Sequence, residues 1–166
     1  MTSAPKLTPT TTRQVVIAAL AGALIGLVAL NIFDLLKSFP PVVPWSVPVL
    51  LVLLAVAAFG YARTIPKRLE ERRLPPREAV RAVVMAKSLI VTGAVLAGGH
   101  AVYVGRWIPT VAAPLPAQRV WLGAATIVAA GVCAWAGWVL ERACMIDQNG
   151  GDEPQTGESA PSPEAV

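Results

Sequence analysis

The sequence predicts an all-α membrane protein, an up-down bundle of four transmembrane helices. Three observations point there. Of 166 residues, 55% are apolar and 14% charged, against about a quarter charged in soluble domains, and the mean hydropathy is +0.59. The charges are bunched, which leaves four windows almost free of them, each able to supply the ~20 residues a hydrocarbon-spanning helix needs. The connections alternate between proline-rich and arginine-rich, as expected of a chain that turns back at each surface.

The windows run in order. Gln14 to Phe33 has no charge and one polar interruption, Asn31. Lys6 and Arg13 precede it as in a secretory signal. The apolar run is longer than a signal's, and no A-x-A cleavage pattern follows before Asp34, so a retained first span is expected. Phe39 to Ala62 has no charge. Ser88 to Gly105 holds only His100, and the flank from Arg81 makes it long enough. Val120 to Leu140 has no charge. The expected organisation is a cytoplasmic segment 1–12 and a four-helix domain 13–145, followed by an acidic tail 146–166. Within the domain, spans cover about 14–36, 43–62, 82–105 and 119–141, with a basic loop at 63–81.

That loop carries Arg63, Lys67, Arg68, Arg72, Arg73, Arg77 and Arg81 against Glu70, Glu71 and Glu78. With four spans, both termini share its side, which then holds 11 of the 14 lysines and arginines. The positive-inside rule places that side in the cytoplasm, giving a multi-pass plasma-membrane protein with both ends inside. Trp45, Trp107 and Trp121, with Phe39 and Tyr103, fall at the outer ends, where amphipathic rings favour the headgroup level. Trp138 falls near the inner interface with Tyr61 and Phe59, and Trp135 lies deeper.

Pro66 suits the first position of a short loop helix, "KRLEERR". The seven basic residues set topology, and contact with anionic lipid headgroups comes with that, at about 1 kcal/mol per residue near the surface. A partner-binding platform is the competing reading. Nucleic acid is not expected, because no aromatic residues interleave with the charges. The outer connections, "SFPPVVPWSVP" and "RWIPTVAAPLPAQR", are stiffened by proline. They are rigid connectors or, alternatively, walls of an outer groove. The tail from Asp147 is acidic and rich in proline, glycine and serine, a composition that predicts disorder.

Within lipid, helices associate by close packing of small residues. Gly22 and Gly26 stand four apart in the first span. Gly93 and Ala97 do so in the third, and Ala129, Cys133 and Gly137 in the fourth. The series in the fourth span continues to Glu141. Cys133 and Cys144 are too far apart along a helix to bridge, so two free thiols are expected, Cys133 packed and Cys144 cytoplasmic.

The third span runs outward and the fourth returns. Lys87 and Glu141 therefore lie at matching depth near the cytoplasmic ends. A Lys87–Glu141 ion pair relieves the cost of burying either charge. Snorkelling of Lys87 to the headgroups is the alternative. His100 lies 13 residues beyond Lys87, roughly 20 Å along the axis, and cannot touch it. It lies in the outer half with Asp34, and an outer Asp34–His100 pair would titrate near neutrality. A histidine bonded to a carbonyl or to outer water is the simpler arrangement. A single histidine argues against a zinc or copper site. No nucleophile elbow, phosphate loop or metalloprotease motif occurs, so neither an enzyme nor a cofactor is expected.

"LTPT", "PPVVPWSVP", "LPPREAVRAVVMAKSLIVTGAVLAGGHAVY" and "LERAC" together resemble the DUF3180 family over roughly Leu7 to Cys144. The resemblance implies a small four-helix plasma-membrane protein of an actinobacterium, of unknown function, and brings no catalytic residue. Two functions stay open. One is a structural or accessory protein that packs with itself or another membrane component. The other is a small transporter or channel subunit with Lys87, Glu141, Asp34 and His100 along a polar path.

Overall fold

The computed structural model describes residues 9–38, 40–70 and 76–149, without the side chains of 66–70, 76, 77, 79 and 146–149. It contains helices α1 (Thr12–Leu35), α2 (Ser46–Glu70), α3 (Pro76–Trp107) and α4 (Pro114–Asn149), and a 3-10 turn at Ile108–Thr110. No strand occurs among the described residues. All four helices are long and apolar enough to cross a membrane.

Their ends follow from local chemistry. Thr11 caps α1 in a capping box. Its hydroxyl accepts from the Gln14 N–H at 3.4 Å, while the Gln14 side-chain oxygen accepts from the Thr11 N–H at 3.1 Å. α1 ends in a Schellman turn: Ser38 N–H donates to the Phe33 carbonyl at 3.0 Å and Lys37 N–H to that of Asp34 at 3.1 Å. The turn requires a left-handed residue, and here that residue is Lys37, with φ 49°. A side chain there costs about 1–2 kcal/mol that glycine would avoid. Pro76 and Pro114 open α3 and α4, at positions whose N–H has no helical partner in any case.

Two helices outrun their windows. α2 continues through Pro66 to Glu70, so the separate loop helix expected at Pro66 is instead its last turns. Ile65 is 1% exposed, which pins the helix up to the proline, and the residues beyond are good helix formers. α4 runs to Asn149, past the expected tail boundary at 146. Cys144 consequently sits in the buried core, as does Cys133.

The helices do not pack in chain order. α3 and α4 pair along their lengths, α1 lies on α3, and α2 lies on α4, giving the order α1–α3–α4–α2. Glycines set two of these seams. A Cβ built at Gly137 would lie 2.8 Å from the Ala86 carbonyl oxygen, and one at Gly93 would lie 2.6 Å from that of Ala130. These contacts run in opposite senses, so α3 and α4 are antiparallel. A Cβ at Gly22 would overlap the Val95 carbonyl, one at Gly98 the Ala19 carbonyl, and one at Gly26 would lie 2.9 Å from the Gly99 oxygen. The Gly22–Val95 and Gly26–Gly99 contacts advance together, so α1 and α3 are parallel, and Ala19–Gly98 marks where the two helices cross. A simple up-down bundle of chain neighbours would not give this pairing. α3 carries small residues on two faces, and one of them draws α1 away from α2.

The core between α2, α3 and α4 is mostly apolar and rich in alanine. Ala58, Ala86, Ala130 and Leu140 are each fully buried. α1 buries only Gly22, and its other faces present Ile17, Leu20, Leu24 and Val28 outward. The loops place the starts of α1 and α3 and the ends of α2 and α4 at one end of the molecule, the basic end. The proline-rich connections lie at the other.

Candidate functional site

At the basic end, the small-residue face of α4 carries Gly137 against Ala86 of α3. One turn further, Glu141 comes within reach of Lys87. Glu141 is 2% exposed, and among the described residues it is the only buried charged side chain. Its Oε1 stands 3.9 Å from Lys87 Nζ. It also accepts two bonds at 2.9 Å from Thr10, one from the backbone N–H and one from the hydroxyl. Lys87 supplies opposite charge at a distance too long for a hydrogen bond, and Thr10 supplies the bonds. Lys87 is 37% exposed along its side chain. One carboxylate oxygen thus joins the entry of α1 to α3 and α4. Thr10 was not singled out by sequence: it precedes the first helix and looks like linker. Its signal was the segment "LTPT", whose last residue meets Glu141 of "LERAC" beside Lys87 of "MAKS".

Around this end, arginines lie over aromatic rings. Arg63 sits 4.4 Å above Phe59, and Arg142 sits 3.7 Å above Trp138. Phe59 in turn stacks on Trp135 at 5.9 Å. Arg81 is exposed. Of the other expected headgroup contacts, Arg72 and Arg73 lie outside the described residues, as do the side chains of Lys67, Arg68 and Arg77.

At the proline end, the Asp34–His100 pair is corrected. Asp34 Oδ2 faces Arg106 at 3.6 Å. His100 Nδ1 bonds instead with the carbonyl of Leu96, one turn back in its own helix, at 2.9 Å. The parallel register explains this. Gly22 lies on Val95 and Gly26 on Gly99, so His100 is level with Leu27. Asp34, about 10 Å further along, is level with Arg106 and Trp107.

The small residues divide by face. Gly22, Gly26, Gly98 and Gly99 form the α1–α3 seam, and Gly93 and Gly137 belong to the α3–α4 seam. Ala129 and Cys133 are buried in the core, with Ala97 packed at its edge. Gly98 and Gly99 escaped the sequence reading because they break the interval of four that starts at Gly93. At Gly105, further along that interval, a Cβ would meet nothing within 4 Å.

A cavity of about 510 Å³ lies between α1 and α3 at the proline end, lined by Ile25, Ala29, Phe33, Leu96 and His100 and walled by Pro40–Pro44. Tyr103 donates its hydroxyl to the Pro41 carbonyl at 3.2 Å, which ties the connection to α3. A second pocket of about 360 Å³ adjoins it and shares Leu30, Phe33 and Pro40, but its other walls are Asp34, Lys37, Ser38, Arg106 and Trp107. The Trp107 Nε1–H is buried without a hydrogen-bond partner, and Arg119 lies 4.3 Å over the same ring.

No curated protein and no solved structure matches the chain. A family model described as a protein of unknown function, DUF3180, matches residues 15–148. That match covers most of the chain, and the chain belongs to the DUF3180 family.

Proposed function

We propose that the protein is a multi-pass plasma-membrane protein with its basic end and both termini in the cytoplasm. In this reading it acts as a structural or accessory component that packs with itself or another membrane protein, and it is not an enzyme. The location rests on the four long apolar helices and on the lysines and arginines gathered at one end. The role rests on the use made of Glu141. The one buried charge among the described residues is engaged by Thr10 and Lys87 at a junction of three helices. It therefore holds helices together and does not line a route. A transport path would have to join the Lys87 level to the His100 level. The α3 and α4 positions between them include Ile90, Ala94, Ala129 and Ala130, all buried and apolar.

A photo-crosslinking residue placed at Leu24, on the exposed face of α1, tests this in native membranes. The expected result is a discrete adduct with a second copy or with one membrane protein. Lipid adducts alone, together with ion flux through the purified protein in vesicles, would overturn the accessory role.

A further inference from the structure

The proline end carries two adjoining pockets of opposite character, and neither is used by the function above. The larger is apolar and follows α3 from Val95 to Tyr103, roughly 12 Å. Its volume lies within the ~300–1,000 Å³ of small-molecule sites. The smaller begins one turn beyond, at Arg106 and Trp107, and the two share a wall. Going outward, an apolar slot is thus followed by charge, the same order as the parts of a lipid.

The charges are biased. Lys37 and Arg106 face Asp34 alone, leaving one positive charge. Asp34 engages one nitrogen of Arg106, and a guanidinium carries five N–H donors. Trp107 closes the wall beside them. Lys37 occupies the left-handed corner of the turn, where glycine would sit without strain. The charged side chain stands there against backbone preference, although a cation also suits a helix C-terminus.

We propose that this end holds one anionic phospholipid. Its acyl chain lies in the α1–α3 groove, and its phosphate is held by Lys37 and Arg106. The bidentate fork of arginine matches a phosphate. The proline connection, tied down by Tyr103, forms the wall beside the acyl chain. This rests on the membrane reading above.

The test uses the full-length protein in mild detergent, titrated with phosphatidylglycerol, diacylglycerol or inorganic phosphate and followed by native mass spectrometry. One phosphatidylglycerol should bind about ten-fold more tightly than diacylglycerol, and phosphate alone should not bind. Lys37→Gly relaxes the turn, so the melting temperature should hold or rise while this site weakens about ten-fold. Ala29→Trp, which fills the groove, should weaken it similarly. Phosphatidylglycerol binding untouched by both variants would overturn the proposal. So would binding of free phosphate at the same residues, or a lipid-free dimer that Ala29→Trp dissociates. A protein that washes off membranes in alkaline carbonate fails the membrane reading itself. One that stays in the membrane and binds no lipid at this site fails only the present proposal.

Discussion

Replacement of Lys87 by methionine isolates the role of the Glu141 junction. The change keeps the apolar stem and removes the charge 3.9 Å from Glu141 Oε1. Glu141, at 2% exposure, would then hold a buried negative charge against Thr10 alone. Breaking a fully buried pair costs about 3–5 kcal/mol. Lys87 is 37% exposed, so solvent already screens part of the interaction, and about 2–3 kcal/mol is expected. Glu141→Gln should cost less, about 1–2 kcal/mol, because the amide oxygen can still accept both Thr10 bonds, as neutral ones of roughly half the strength. The double variant leaves no orphan charge, so its loss should fall short of the sum by about 1–2 kcal/mol. The assay is thermal unfolding in detergent, where 1 kcal/mol corresponds to about 2–4 °C for a chain of this size. Strictly additive losses, or a Lys87→Met protein that melts with the wild type, would refute the coupling.

Other changes probe the rest of the fold. Thr10→Val removes one charge-assisted bond while leaving the N–H bond, and should cost about 1.5 kcal/mol in the same melt. Gly22→Val drives a side chain into the Val95 carbonyl; it should separate α1 from α3 and abolish accumulation of folded protein. Gly131→Ala meets nothing within 4 Å and should stabilise α4 by about 0.5–1 kcal/mol. Asp34→Asn breaks a pair whose side chains are 59% and 60% exposed, so its cost should stay under about 1 kcal/mol. A double-mutant cycle between Asp34 and His100 should show no coupling.

Composition made the helices legible, and charge counting made their ends legible. A span without charges is apolar all round, and the windows at Gln14, Phe39, Ser88 and Val120 needed no finer pattern. Depth was legible too: spacing alone put Lys87 and Glu141 on one level, and the structure brings them within 3.9 Å. Which helix touches which was not legible. A helix apolar on every side marks no face for its partner, so nothing in α1 announced that it would leave α2 and lie on α3. Only glycines carry that information, and Gly98 and Gly99 carry it off the regular interval. The same gap produced the mistaken Asp34–His100 pair, since the two were matched by side of the membrane without the register that separates them by about 10 Å. Thr10 was hidden for a different reason. Its importance comes from a partner 131 positions away, which no local pattern encodes.

The central claim is that the chain crosses a bilayer four times with its basic end inside. Labelling of single cysteines by a membrane-impermeant maleimide tests it most directly, in a chain where Cys133 and Cys144 are first replaced by serine. Val111→Cys, in the proline-rich connection before α4, should label in intact cells. Glu70→Cys, at the end of α2, should label only after the membrane is opened. Labelling of both sites in intact cells, or of Glu70→Cys alone, would contradict the account.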